Sequence, residues 1–210
     1  MAALSTGQIS ALLEGYISSP DPGAAVTVPS PLLDQLSVLL DLLLRWNRSV
    51  SLTSIRPPQE IVQRHFGESL FTGCHLAHHL SFAAELLDYG SGAGFPGLPI
   101  QLLLPHIHVT LAESQSRKVA FLREAIRELK LPTEVWPRRV EEMPPDRRFD
   151  AITLRAVDRM VTSLAYAKKR LRTGGWLALL VGETAQTPLG AQEFLIPGSV
   201  HRRLILEHHL

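Results

Sequence analysis

Two hydrophobic periods divide the chain. Up to about residue 81 the apolar residues recur every three or four positions, which is the spacing of helices with one buried face. The clearest case is Leu32, Leu33, Leu36, Leu39, Leu40, Leu43 and Leu44, with Ser30 and Pro31 placed as cap and first helical residue. A weaker helix is predicted over roughly Gly7 to Ile17, ahead of the turn-rich stretch SSPDPGAAVTVPS. Another starts near Pro57 or Pro58 and runs through Glu60, Ile61, Arg64, His65 and Leu70.

From Ala84 onward short apolar runs alternate with helical patterns, as in βαβ units. Strands are expected at about 85–89, 108–112, 133–137, 150–154 and 176–181, with a late pair near 193–196 and 202–207. Helices are expected between them at about 96–104, 115–130 and 158–171, and Thr173, Gly174 and Gly175 read as the turn opening the fifth strand. The pattern predicts an α/β, doubly wound fold: a mostly parallel seven-stranded sheet with helices on both faces. Residues 1–81 form a helical cap packed on a core of residues 82–210, the two making one compact unit.

Composition adds bounds. The 210 residues are 45% hydrophobic and 20% charged, enough to bury one sizeable core. A formal net charge of +1 excludes a broadly basic nucleic-acid coat, although a local basic face is compatible with it. The single cysteine, Cys74, excludes an intrachain disulfide and a cysteine-cluster zinc site, and it sits where a small buried hydrophobe is expected. His75, His78 and His79 lack a companion set of metal-ligand spacing, so no metal is expected. The opening MAALSTGQIS has no leader character and no apolar run reaches membrane-spanning length, so a cytoplasmic, membrane-free protein is the expectation, with a monomer as the default because no self-complementary surface is visible.

Candidate chemistry concentrates in the ten residues Asp88 to Gly97, DYGSGAGFPG, which hold four glycines between two apolar runs. A strand feeding such a turn and then a helix presents backbone amides to the polar part of a nucleotide-like ligand. Gly92, Gly94 and Gly97 spell the dinucleotide fingerprint, but the strand ends at Asp88 or Tyr89, which makes Gly90 the glycine of the tight turn and puts Phe95 where the third glycine belongs. An acid at the strand end (Asp88), a GxGxG turn and a second acid 23 positions after Gly90 (Glu113) fit S-adenosylmethionine better. In that arrangement Gly90 and Gly92 let the backbone approach the methionine moiety and Glu113 accepts from the ribose hydroxyls. Nicotinamide binding, or a glycine turn with no ligand, stays open on these residues alone.

Five blocks of the sequence are similar to the bacterial 16S ribosomal RNA guanine methyltransferases of the glucose-inhibited division B type. They are RWNRSVSLTSI at 45–55, RHFGESL at 64–70, DYGSGAGFPGLPI at 88–100, ESQSRKVAFL at 113–122 with RRVEE at 138–142, and FDAITLRAV at 149–157. The resemblance implies a Rossmann-like S-adenosylmethionine-dependent methyltransferase fold and methyl transfer to ring nitrogen 7 of a guanine in the 530 loop of 16S rRNA, on the free rRNA or the 30S subunit. Residue by residue it implies a donor site of Gly90, Gly92, Phe95, Glu113, Val140, Glu141 and Arg155, with Phe95 packed on the donor and Arg155 as the candidate catalytic residue. Where relatives commonly carry Lys then Gly at the end of the fifth strand, this chain has Val181 and Gly182, so one expected basic contact is missing.

What the chain lacks agrees with that reaction. The fourth strand is followed by no Asn/Asp-Pro-Pro-aromatic element of the kind used on exocyclic amines, and Cys74 lies in the cap rather than beside the donor loop, where a carbon-methylating nucleophile would stand. Guanine nitrogen 7 carries a lone pair and no proton, so positioning replaces a general base. A reachable RNA base must come from a loop or a splayed nucleotide, because the A-form major groove is too narrow for side chains. Arg64, His65, Arg117, Lys118 and Arg139 are the candidate RNA contacts, with Arg123, Arg138 and Arg155 behind them. The basic run Lys168, Lys169, Arg170 and Arg172 suits a solvated last helical turn, and Trp46 suits the core. A nicotinamide-dependent oxidoreductase and a non-catalytic, cofactor-sensing RNA-binding module are the alternatives.

Overall fold

The apolar runs of the second half become β1 (Glu85–Tyr89), β2 (His108–Ala112), β3 (Glu134–Trp136), β4 (Phe149–Arg155), β5 (Leu171–Gly182), β6 (Gln192–Leu195) and β7 (Arg202–His208) in the computed structural model, which describes residues 3–17, 28–155 and 160–210. They lie in one sheet ordered β3-β2-β1-β4-β5-β7-β6. Strands β1 to β5 pair in parallel because a longer crossover separates each from the next, whereas β7 runs antiparallel to both β5 and β6. The strand order reverses beside β1, between β2 and β4, and a crevice opens beyond the carboxyl ends of strands at such a switch point.

One local expectation is corrected. Thr173, Gly174 and Gly175 do not precede the fifth strand but lie inside β5, where the register with β4 jumps from Phe149↔Leu171 to Ala151↔Trp176. The end of β7 holds them there: the Gly174 amide donates to the His209 carbonyl at 2.7 Å, and the His209 amide to Gly175 at 2.8 Å. Gly174, at φ +80°, supplies the backbone freedom for the jump.

The cap comprises α1 (Thr6–Leu13), α2 (Ser30–Trp46), α3 (Pro58–Ile61), a π-helical segment Val62–Gly67 and α4 (Glu68–Ala77). Ser5 and Gln8 close a reciprocal capping box on α1, which ends at Leu13, short of the expected Ile17. The leucine stripe of α2 is buried as its spacing requires, and Trp46 packs edge-on against Phe121 with ring centroids 5.9 Å apart. Helices α5 (Gly97–Leu103), α6 (Ser116–Leu129) and α7 (Met160–Arg170) complete the fold; the start expected for α7 at residue 158 lies outside the described residues.

The two faces of the sheet are covered unequally. On one face Leu86, Val109, Leu111, Ala151, Ala178, Leu180, Leu204 and Leu206 join the buried side chains of the cap, α5 and α6 in a single apolar cluster. On the other face Leu87, Tyr89, Ala112, Ile152, Leu154, Leu177, Leu179 and Ile205 meet, among the described residues, chiefly α7 and the residues around a 3₁₀ turn, Val140–Glu142. Side chains of successive strand residues point to opposite faces, so odd and even positions of each strand belong to different environments. This parity decides the fate of the candidate functional residues.

Candidate active site

The glycine loop is tied down from three sides. Asp88, fully buried, accepts the Gly97 amide at 3.1 Å on one carboxylate oxygen and the Thr153 hydroxyl at 2.8 Å on the other. The Ser91 amide donates to the Ala112 carbonyl at 2.9 Å, which fixes the loop to the end of β2. Glu113 completes the frame by accepting the Gly92 amide at 3.0 Å and the Gln115 amide at 2.7 Å. Gly90, Gly92 and Gly94 all have positive φ, a conformation costly to other residues. Gly94 and Gly97 are held further by close approach: a Cβ would stand 2.4 Å from Leu98 and from Leu111, respectively. Burial raises the Asp88 carboxyl to about 6, against the opposing Thr153 and Gly97 hydrogen bonds.

Beyond the ends of β1 and β2, on the thinly covered face, lies a cavity of about 480 Å³, within the range of small-molecule sites. Gly90, Gly92, Glu113, Val140 and Glu141, all expected at a donor site, line it together with Tyr89, Ala112 and Ser163. Lys118, Arg138 and Arg139 stand among its lining residues too, and among the described residues none of the three has an ion-pair partner. The Arg138 guanidinium rests 5.9 Å from the Trp136 ring centroid, and the Trp136 indole N–H donates to the Arg139 carbonyl at 2.9 Å. Thus glycine backbone, a carboxylate at the end of β2, apolar walls and a second carboxylate line one cleft with a cationic fringe.

This arrangement suits a nucleoside with a short polar tail. At Gly92 a Cβ would project into open space, its nearest neighbour being the Gly90 carbonyl at 3.9 Å, so the bare backbone leaves room for a ligand. A dinucleotide pyrophosphate is poorly served: the Gly97 amide, at the start of the helix such a phosphate would cap, is already taken by the buried Asp88 carboxylate.

Two expected donor residues fall elsewhere. Phe95 does not line the cavity; it turns to the cap, stacks on His65 at 4.8 Å with planes 12° apart, and meets Phe66 at 5.6 Å. Arg155 does not line it either. It shares the face of Ala151 and Thr153 on β4, where it ion-pairs with Glu68 at 3.3 Å and donates to the Arg64 carbonyl at 2.9 Å. Burial lowers its guanidinium to about 10. Strand parity and packing against the cap thus set Phe95 and Arg155 on the cap side of the loop, apart from the other five expected donor residues.

The expected RNA contacts divide in the same way. Arg64 pairs with Glu60 at 3.6 Å and with Glu68 at 3.9 Å. His65 is bonded through Nε2 to the Thr53 hydroxyl at 2.7 Å. Burial and the neighbouring Arg155, Arg64 and Arg202 lower its imidazole to about 3, so it is neutral at pH 7. Arg202, which the sequence did not single out, closes the network by pairing with the same Glu68. Lys118 and Arg139 stay at the cavity, whereas Arg117 is exposed on α6 outside its lining. The basic run near α7 is spent locally: Lys168 on Glu207, Arg170 on the Met143 and Pro144 carbonyls, Arg172 on Asp150 and Glu85. Cys74 is half-buried, and burial pushes its thiol up to about 11. His75 packs between Phe71 and Phe194, and His79 stacks on Trp176 at 3.8 Å.

Tyr89 and Ser163 are among the lining residues that sequence reading missed, with Ala112, Ser114, Gln115 and Thr162. Tyr89 was legible in principle, since it is the last residue of the strand entering the loop and alternates with Asp88. Ser163 comes from α7 and is brought there only by packing. No helix of the described residues is long and apolar enough to cross a membrane.

The family model described as rRNA small subunit methyltransferase G, GidB, matches residues 32–202. A curated protein of that name from Desulfitobacterium hafniense is 38% identical over 159 residues, covering 73% of this chain and 64% of the relative. Another from Xanthomonas euvesicatoria pv. vesicatoria is 36% identical over 188 residues, covering 87% and 84%. Among solved structures, the Thermus thermophilus 16S rRNA N2 G1207 methyltransferase in complex with AdoMet and guanosine aligns with a TM-score of 0.56 at 16% identity, over 90% of this chain and 45% of that one. An rRNA methylase from Streptococcus thermophilus aligns at 0.52 and 16% identity, over 66% and 95%. These two likenesses show the methyltransferase fold. Extended matching through cap, glycine loop and sheet, at more than a third identity, places this chain in the GidB family of rRNA small subunit methyltransferases G.

Proposed function

We propose that this protein methylates ring nitrogen 7 of a guanine in the 530 loop of 16S rRNA, with S-adenosylmethionine as donor, and that it acts in the cytoplasm as a monomer. The observation that carries the donor reading is the cavity where Gly90, Gly92, Glu113, Val140 and Glu141 converge. When bound, the donor supplies an electrophilic methyl group. Gly90 and Gly92 admit its amino-acid end, Glu113 keeps lone pairs for the ribose hydroxyls beyond its two backbone bonds, and Val140 and Glu141 flank the adenine.

The acceptor nitrogen has a lone pair and no proton, so the chain needs to orient a base rather than remove a proton from it. Among the described residues, Lys118, Arg138 and Arg139 are the cavity-lining cations open to RNA phosphate, and Trp136, half-buried under Arg138, offers an aromatic edge beside them. Arg155, Arg64 and His65 support the site from behind by fixing the cap against the loop. The division into a cap of residues 1–81 and a core of residues 82–210 belongs to the same reading.

The test is transfer of tritium from labelled donor into 16S rRNA or 30S subunits lacking the modification, followed by mapping of the methylated base. Incorporation at a guanine ring nitrogen of the 530 loop is expected, and no incorporation into any form of the small subunit would overturn the reading. Calorimetry should show binding of S-adenosylhomocysteine and none of NAD.

A further inference from the structure

Glu141 lies in the middle of a single 3₁₀ turn and is exposed. An exposed glutamate on such a turn has several rotamers open to it, and choosing one to meet a ligand costs side-chain entropy. Here the choice is already made. The Tyr89 hydroxyl lies 2.7 Å from Glu141 Oε1, and because a carboxylate has no proton to give, the phenol is the donor. The ring beneath that hydroxyl is 6% exposed, packed with Leu87, Ala112 and Val140 on the thinly covered face of the sheet. Tyr89 of β1 and Glu141 of the 3₁₀ turn are thus joined, and both line the cavity together with Ser163 of α7.

We propose that Tyr89 is a positioning residue that makes this cavity selective for a 6-amino purine, by holding the Glu141 carboxylate so that its second oxygen faces the base as an acceptor. The inference rests on the donor reading of the cavity given above. Its chemistry is that of matched and mismatched edges. Adenine presents an exocyclic N–H donor at position 6, which a fixed carboxylate oxygen accepts. Hypoxanthine and guanine present a carbonyl oxygen there, and two acceptors then face each other with neither satisfied. Without the phenol, Glu141 can swing into water and tolerate either edge, so both the attraction and the repulsion weaken. Burial and the adjacent carboxylate raise the Tyr89 titration well above its ordinary range, so the hydroxyl keeps its proton through neutral and mildly alkaline pH.

The experiment is calorimetry on the full chain with S-adenosylhomocysteine and with its hypoxanthine counterpart, S-inosylhomocysteine. Wild-type protein should prefer the adenosyl form by roughly 10- to 100-fold. Tyr89→Phe keeps the ring and its packing, and should cut that preference about tenfold, mainly through weaker adenosyl binding. Glu141→Gln should abolish most of it, because an amide can turn either end to the base. The double variant should match Glu141→Gln alone, since Tyr89 acts through Glu141. In methyl transfer, Tyr89→Phe should raise KM for the donor by a larger factor than it lowers kcat. An unchanged preference in Tyr89→Phe, or additive effects in the double variant, would overturn the proposal. Equal wild-type affinity for the two forms would do so as well. Wild-type protein that binds neither form would instead remove the donor reading, and this proposal with it.

Discussion

The two faces of the central sheet treat similar residues differently. On the cap face, three arginines, one histidine and the loop phenylalanine are consumed: Arg64, Arg155 and Arg202 gather around Glu68, and His65 stacks on Phe95. At the cavity, by contrast, Lys118, Arg138 and Arg139 keep their charges unpaired among the described residues, and Glu141 keeps an oxygen to spare. A charged residue serves a ligand through what its neighbours leave unused, so side-chain identity at a motif position is a weaker guide than residual bonding capacity.

Variants can break this contrast from either side. The largest effect is expected for Glu68→Ala, which strands the Arg155 and Arg202 guanidiniums. Folding stability should fall by about 4 kcal/mol in urea unfolding, while S-adenosylhomocysteine affinity of the folded protein stays within a few-fold. A stability change under about 0.5 kcal/mol, the size of an ordinary surface substitution, would mean that the cap network holds nothing. Next comes Gly94→Ala, which forces a Cβ into a backbone at φ +83° and to within 2.4 Å of Leu98. A loss of about 3 kcal/mol is expected, and this variant should damage both faces together, since the loop joins them.

Glu113→Gln bears on the cavity alone. Donor affinity measured by calorimetry should drop by about 2 kcal/mol, because one acceptor oxygen and the charge are lost together; unchanged affinity would remove Glu113 from the ribose site. Acid titration tests the cap face to a similar extent. The His65 imidazole is lowered to about 3 in the fold from 6.5. Between those values the unfolded chain binds more protons, and stability from this group is lost as pH falls below about 6.5. Asp88, raised to about 6, acts in the opposite sense, because the folded state then holds the proton more tightly. Comparing pH 7 with pH 5, His65→Asn should therefore gain about 2 kcal/mol on wild type, and an identical pH profile for the two proteins would show that His65 titrates freely. The smallest effects belong to the rim. Alanine at Lys118, Arg138 or Arg139 should weaken rRNA binding by about 1 kcal/mol each and lower the salt slope by about one charge, with donor affinity unaltered. Equal losses from Arg64→Ala would break the distinction between the two faces.

Much of the architecture was legible in the residues. The runs ELLDY and HVTLA sit in β1 and β2 at the expected bounds, and the leucine stripe of α2 buries the side its spacing marks. The register of the glycine loop was also legible: the strand ends at Tyr89, Gly90 opens the turn, and Glu113 returns to the same loop. Five of the seven expected donor residues line one cavity. Phe95 and Arg155 stand outside that lining, since matching a motif carries a residue's position and not its direction. For Arg155 the direction was available from alternation along β4, where Ala151 and Thr153 share its parity. For Phe95 it depended on how the cap met the loop, and the π-helical stretch that presents His65 to it has no signature in the hydrophobic pattern.

By itself the sequence determined most of the elements, their order, the glycine loop and the family, because these depend on local periodicity, backbone freedom at glycine and short runs of side chains. Tertiary structure alone decided which charges remain available, that the Tyr89 hydroxyl meets Glu141, and that Arg202 joins Arg64 and Arg155 across 138 positions of chain. Those outcomes depend on long-range packing, where a buried ion pair or ring stack cancels a side chain's capacity to bind anything else.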